Sequence, residues 1–280
     1  MTIDPATRLT YAIARARHSA RHRRARGHPI VVFSMAKTGS SAVAAGLRTA
    51  GLGDVYHVHD LDPIFLAQEE SEYRWSGRPW RIWDAQRLLQ RPPSATVPWH
   101  VVSIVREPIA QTVSAFFQPG VRRGYVDAGA TVEPLLDRFG DRLDRLPLRW
   151  FETHVQPSLG IDVYSVDFDR EARYQIISTA TIRLLLLRCE DLAVAPAALA
   201  ELLDVDGAID VPRVNVGAQK DYAATYASFT AALRPSAAQL DRAYGSRVVQ
   251  HFYSSDEIDR FRAVWRSGGA PAPGPARIEG

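Results

Sequence analysis

This chain of 280 residues is short of cysteine, of lysine and, near its start, of acids. Cys189 is the only cysteine, so no disulfide forms within the chain and a four-cysteine zinc site is excluded. A reducing compartment, and hence the cytoplasm, is the expected location. Lys37 and Lys220 are the only lysines among 34 basic residues. A compact ammonium does not replace a planar guanidinium, so the two places where lysine stands in an arginine-rich chain draw attention to their loops. The formal net charge of +3 is too small to suggest a nucleic-acid partner. Between residues 1 and 28 the only acid is Asp4, against Arg8, Arg15, Arg17, Arg21, Arg23, Arg24 and Arg26. This stretch lacks the apolar core of roughly 7 to 15 residues found in a secretory signal, and arginine interrupts it too often for it to span a bilayer. A basic helical arm is expected, serving either as a contact for an anionic membrane surface (the inner face, given the expected compartment) or simply as a solvated terminal helix.

What remains is ordinary for a folded α/β protein. Hydrophobic residues make up 46% and charged residues 23%, and the length allows one large core with embellishments. No internal repeat is evident.

Residues 29–50 organise the chain. Ile30, Val31, Val32 and Phe33 form an unbroken apolar run, as in a parallel strand covered on both faces. Small residues, hydroxyls and one lysine follow, and then an alanine-rich helix from about Ala42. Such a loop points backbone N–H groups, with the positive end of the helix dipole, at one anion. Lys37 adds a mobile charge, and Thr38, Ser40 and Ser41 add hydroxyls beside Gly39. The template G-x-x-x-x-G-K-[ST] is absent, because the lysine precedes the glycine in Ala36-Lys37-Thr38-Gly39-Ser40-Ser41. In that order the stretch resembles the 5′-phosphosulfate loop of sulfotransferases that use 3′-phosphoadenosine 5′-phosphosulfate (PAPS).

Residues 54–61 alternate and predict a second strand, with His57 and His59 on one face and its far end beside the loop. A histidine there takes a proton near neutral pH. Three uses stay open for the pair: a base, a packed pair, or two metal ligands that lack a clear third. Residues 62–98 predict one or two short helices, whose Trp75, Trp80 and Trp83 serve either as core or as a face for an acceptor.

Residues 99–105 predict a third strand, followed by Arg106-Glu107-Pro108 and a helix that carries Ser114, with proline harmless in its first turn. A guanidinium and a hydroxyl converging there suit a second phosphate. Arg-x-Pro after a strand, with serine eight residues beyond the arginine, resembles the 3′-phosphate site of the same sulfotransferases. Glu107 stands where that family often has aspartate.

Residues 120–156 predict exposed helices, and residues 160–167 and 174–187 predict strands. Glu190-Asp191-Leu192 resembles a late core-strand sequence of the family and is expected to have a structural, helix-capping role. Asn215, Gly217 and Lys220 mark a late loop, either an ordinary turn or, as in the family, a flap over the 3′-phosphate. Ser254 and Glu257 predict a capping box opening a last helix. Asn215-Val216-Gly217 together with His251-Phe252-Tyr253-Ser254 resembles bacterial sulfotransferase-like proteins associated with capsular polysaccharide synthesis.

Charge predicts a basic arm over residues 1–28 and Gly/Pro crowding a disordered tail over 267–280; the resemblance implies a sulfotransferase domain over 29–266. Its fold would be α/β, a P-loop-like central parallel sheet flanked by helices. The resemblance implies transfer of a sulfuryl group from PAPS to a hydroxyl of a saccharide, or else of a lipid or secondary metabolite, with 3′-phosphoadenosine 5′-phosphate (PAP) as the second product; a sulfuryl group carries less charge than a phosphoryl, so no metal is required. Lys37 and either His57 or His59 would be catalytic; Lys37, Thr38, Gly39, Ser40, Ser41, Arg106, Ser114, Asn215, Gly217 and Lys220 would hold the donor. Two rivals differ in class: a kinase or NTPase using ATP and magnesium, which Val105-Arg106 disfavours for want of a strand-end aspartate, and a non-catalytic scaffold acting through the arm.

Overall fold

A computed structural model describes residues 5–24, 27–73, 80–122, 124–127, 129–212 and 222–271. Five strands form one sheet: β1 (Pro29–Phe33), β2 (Asp54–Val58), β3 (Trp99–Val105), β4 (Tyr174–Ser178) and β5 (Ile182–Arg188), in the order β2-β1-β3-β5-β4. The first three strands and β5 run parallel, with Val31 level with Tyr56 on one side and Val101 on the other. β4 runs antiparallel to β5, so the sheet is mixed rather than wholly parallel. Thr179 receives and returns hydrogen bonds with Ile182, closing a tight hairpin between them. That short connection permits only an antiparallel neighbour.

Among the described residues the helices are α1 (Pro5–Arg24), α2 (Ser40–Ala50), α3 (Pro63–Tyr73), α4 (Trp80–Leu89), α5 (Pro108–Arg122), α6 (Val132–Phe139), α7 (Gln156–Leu159), α8 (Ala195–Leu203), α9 (Ala223–Ala232), α10 (Ala237–Tyr244), α11 (Arg247–Phe252) and α12 (Ser255–Ser267). β1 shows how the layers form. Its Ile30 and Val32 join α2 and α8 in one cluster, while Val31 and Phe33 join α4 and α5 in the other. Alternate side chains thus bury into helices on both faces, which is why the run is apolar without interruption. Phe33 is fully buried, and its truncation to alanine is expected to cost roughly 3–5 kcal/mol.

Two local expectations fail and a third holds in part. Residues 160–167 form no strand: Gly160 is left-handed at φ 68°, and Asp162 caps a short 3₁₀ turn, Val163–Ser165, by accepting from the Tyr164 N–H. The apolar Ile161 and Val163 that mimic strand alternation are buried as turn residues. β2 ends at Val58, so His59 lies beyond the strand. The expectation of exposed helices between 120 and 156 holds for their charged side, where Asp137, Arg138, Asp141, Arg142, Asp144 and Arg145 are exposed, but Leu135, Phe139, Leu143 and Phe151 enter the core, partly through a π-helical turn at Phe151–Val155. The Ser254–Glu257 capping box is present and opens α12. No helix among the described residues is long and apolar enough to cross a membrane.

Candidate functional site

The parallel strands β1 and β3 deliver two loops to the same sheet edge, and β2 delivers its histidines beside them. The loop after β1 is built from the inside. Ser34, fully buried, donates its hydroxyl to the Ile104 carbonyl of β3 at 2.8 Å. Thr38, also fully buried, donates to the Met35 carbonyl at 3.0 Å and lies 2.7 Å from the Ser34 hydroxyl. Thr38 therefore shapes the loop from below, and its hydroxyl faces the protein.

The upper side of the loop is backbone. Lys37 has φ 72° and Gly39 φ 88°, so two residues of positive φ flank Thr38. Loops with such residues can present successive N–H groups to an anion, as in a nest. The Gly39 carbonyl accepts from Ala42 and opens α2, whereas the N–H groups of Ala36, Thr38, Gly39, Ser40 and Ser41 have no acceptor among the described residues. Gly39 is also sterically required: a Cβ there would fall 2.5 Å from Leu192 Cδ1 and 3.8 Å from Cys189 Sγ. Left-handed backbone and the nearby Leu192 side chain both disfavour a side chain there. Ser41 is exposed, and Ser40 is buried with its hydroxyl 3.1 Å from His57 Nε2.

Arg106 follows β3 directly and reaches across to β1's loop, where Nη1 donates to the Lys37 carbonyl at 2.9 Å. Burial acts to lower its pKa, but Cys189, Tyr226, Glu190 and Glu107 outweigh that and hold the guanidinium more firmly charged. From α5, Gln111 donates to the Ala36 carbonyl at 2.9 Å. Ser114 lies one turn further along the same side of α5, half-buried and without a hydrogen-bond partner among the described residues. The cradle is thus gripped at two carbonyls by β3 and α5. These residues fit a phosphate-sized anion.

Glu107, expected as a conservative replacement of aspartate, is fully buried and accepts from the Ile109 and Ala110 N–H groups, opening α5. It also accepts from the Tyr244 hydroxyl at 2.9 Å. Glu190 does not cap its own turn. It accepts from the Glu107 N–H and the Tyr253 hydroxyl, each at 2.9 Å. Burial raises the pKa of both carboxyls, and the neighbouring donors restrain that rise. The structural role expected of Glu190 holds, in a different form.

The two histidines are both engaged. His57 is buried, its N–H donates to Asp84 at 3.0 Å, and its pKa is well below the usual value through burial and then the charges of Arg81, His59 and Arg48. His59 is half-buried. Its Nδ1 lies 2.5 Å from the Ser34 carbonyl, which fixes the proton there, and Nε2 meets the Arg81 guanidinium. Burial and Arg81 bring its pKa down to about 4. The rings stand edge to face, 5.2 Å apart. Among the described residues no group of three or more His, Cys, Asp or Glu is placed to hold a metal ion.

Several neighbours escaped sequence reading. Arg81 and Asp84 sit in α4 with no motif linking them to β2, and only folding brings them to the histidines. Gln111 was detectable as the residue one turn before Ser114. A further pair, Asp60 and His154 at 3.3 Å, flanks the same edge, with His154 stacked on Trp150 at 5.7 Å. A narrow cleft lined by Met35, Arg106, Gln111, Trp150, Phe151 and Val249 opens beside Arg106. Trp83 is core, packed against Tyr11; Trp75 lies outside the described residues, as do Asn215, Gly217 and Lys220.

Residues 125–254, short of half the chain, match a family model described as "Putative capsular polysaccharide synthesis protein". The match points loosely to a glycan-related role. It takes in β4, β5 and Tyr253 but neither the β1 loop nor Arg106. No curated protein and no solved structure matches the chain.

Proposed function

We propose that this protein is a sulfotransferase of the PAPS-dependent kind, with the corresponding fold, moving a sulfuryl group to a hydroxyl of a glycan or similar acceptor in the cytoplasm. The observation that carries the proposal is the hydrogen bond from Arg106 to the Lys37 carbonyl. It ties a cationic strand end to a left-handed cradle on the neighbouring strand, setting two anion grips side by side. PAPS carries anionic groups at the 3′ and 5′ positions of one ribose and is suited to such a pair.

In this proposal the Thr38 to Ser41 N–H groups and Lys37 hold the 5′-phosphosulfate. Arg106 and Ser114 hold the 3′-phosphate, with Asn215, Gly217 and Lys220 as its cover. Thr38 contributes shape rather than its hydroxyl, which already donates inward. That inward hydroxyl also weakens the kinase alternative, which needs it for magnesium.

His59 is the proposed base, because His57 is only 3% exposed and already meets Ser40. As the acceptor oxygen bonds to sulfur, the bond from sulfur to the bridging oxygen breaks and the electron pair leaves with PAP. The acceptor proton passes to His59 Nε2, which Arg81 releases. Lys37 stabilises charge on the departing oxygen. General-base action of this sort contributes typically 10²- to 10⁴-fold.

The test is incubation with sulfur-labelled PAPS and a panel of glycans, glycolipids and cell extract. Label is expected in a glycan-containing product and absent with Lys37→Ala. Label from γ-labelled ATP and none from PAPS would support the kinase instead.

A further inference from the structure

Helix α1 meets the body through Tyr11, Arg15 and His18 among the described residues. Tyr11 packs edge to face on Trp83 at 5.1 Å and accepts from its indole N–H, Arg15 reaches Gln86 at 3.5 Å, and His18 Nε2 lies 2.7 Å from Asp84. Residues 11, 15 and 18 share one side of a helix, at roughly 100° per residue. On the same wheel Leu9 and Ile13 point roughly 160° away from that side. They are 62% and 44% exposed, the large apolar side chains of a helix whose Arg17 is exposed beside them. Two apolar side chains one turn apart thus turn outward on a helix seated on the core, largely exposed to water.

We infer that this outer face of α1 docks on an anionic lipid bilayer. Charge decides the occupant. Seven arginines and a single acid fall within residues 1–28, a density that suits a negatively charged surface and repels a basic one. Leu9 and Ile13, with the exposed Arg17 beside them, suit the headgroup boundary, where apolar groups enter and a guanidinium stays with phosphates. The docking helix rests on α4, which also supplies Asp84 to the His57 N–H and Arg81 to His59. The lipid-facing element and the site are therefore joined through one helix. The inference does not depend on the proposed chemistry, since its readout is binding.

The experiment is sedimentation of the full chain with vesicles of phosphatidylcholine alone or with about one third phosphatidylglycerol, at about 0.1 M and 0.5 M salt. Binding is expected only to the anionic vesicles, and weakened at high salt. Leu9→Ser with Ile13→Ser, both at exposed positions, is expected to weaken binding at least tenfold, and Arg17→Glu roughly 5- to 30-fold. Circular dichroism matching the parent shows that the variants fold. Equal binding to neutral vesicles, no binding to either, or undiminished binding by the Leu9/Ile13 variant would overturn the inference; the last outcome would mark a purely electrostatic face for some other polyanion.

Discussion

His59 concentrates the consequences of local environment in a single side chain. Its Nδ1 proton is fixed on Ser34 and its Nε2 faces Arg81, so it stays neutral down to about pH 4. If it is the base, kcat/KM for transfer should stay level from pH 8 to about 5 and fall only near pH 4, and Arg81→Met should move that limb up toward pH 6.5. A limb that Arg81→Met leaves unmoved would remove the assignment. His57→Ala should instead loosen the Ser40 contact and lower stability. At Gly39 the expected loss has two parts: a left-handed alanine costs roughly 1–2 kcal/mol, and its Cβ meets Leu192. Gly39→Ala should weaken PAP binding, and adding Leu192→Ala should restore it only in part; full restoration would show that backbone conformation is unimportant. The loop was legible in sequence because the cradle is local: order, size and glycine position all fall within six residues. Arg81 was illegible because nothing in its own neighbourhood refers to His59.

The ends of β3 and β5 are locked by groups that no local pattern announces. Glu107, Glu190 and Tyr253 lie far apart in sequence and meet only after the strands pair and α12 closes over them. Tyr253→Phe leaves a Glu190 oxygen without its donor, at a cost of roughly 1–3 kcal/mol, and should lower the urea midpoint without changing secondary structure. The Ser254 cap is the opposite case. Its partner is three residues on, so sequence alone sufficed, and Ser254→Ala should cost about 1 kcal/mol. Residues 160–167 misled because alternating apolar residues satisfy a 3₁₀ turn over the core as well as a strand. Register and hydrogen bonds distinguish the two, and a one-dimensional pattern carries neither.

Across the molecule, the order of strands and helices was legible from apolar runs and helix starts, including all three strands that carry the site. The antiparallel β4 was not, since an apolar run carries no direction. Nor was the seating of α1, which depends on contacts such as His18 with Asp84 across 66 positions. The buried histidines set a property of the whole fold. Their folded pKa values lie below 6.5, so the unfolded chain binds protons that the folded chain refuses. Their contribution is fully present above about pH 6.5 and is lost as pH falls toward 4. The urea midpoint should therefore drop between pH 7.5 and 5, and drop less in His59→Gln; equal slopes would deny His59 a part in it.

The proposed chemistry needs two anion grips set for one doubly phosphorylated adenosine, and calorimetric titration with PAP tests them most directly. Tight binding of PAP is expected, with no comparable binding of ATP and magnesium, and Arg106→Ala should weaken it roughly 10- to 100-fold. ATP and magnesium binding as tightly as PAP, or PAP binding untouched by loss of Arg106, would contradict it.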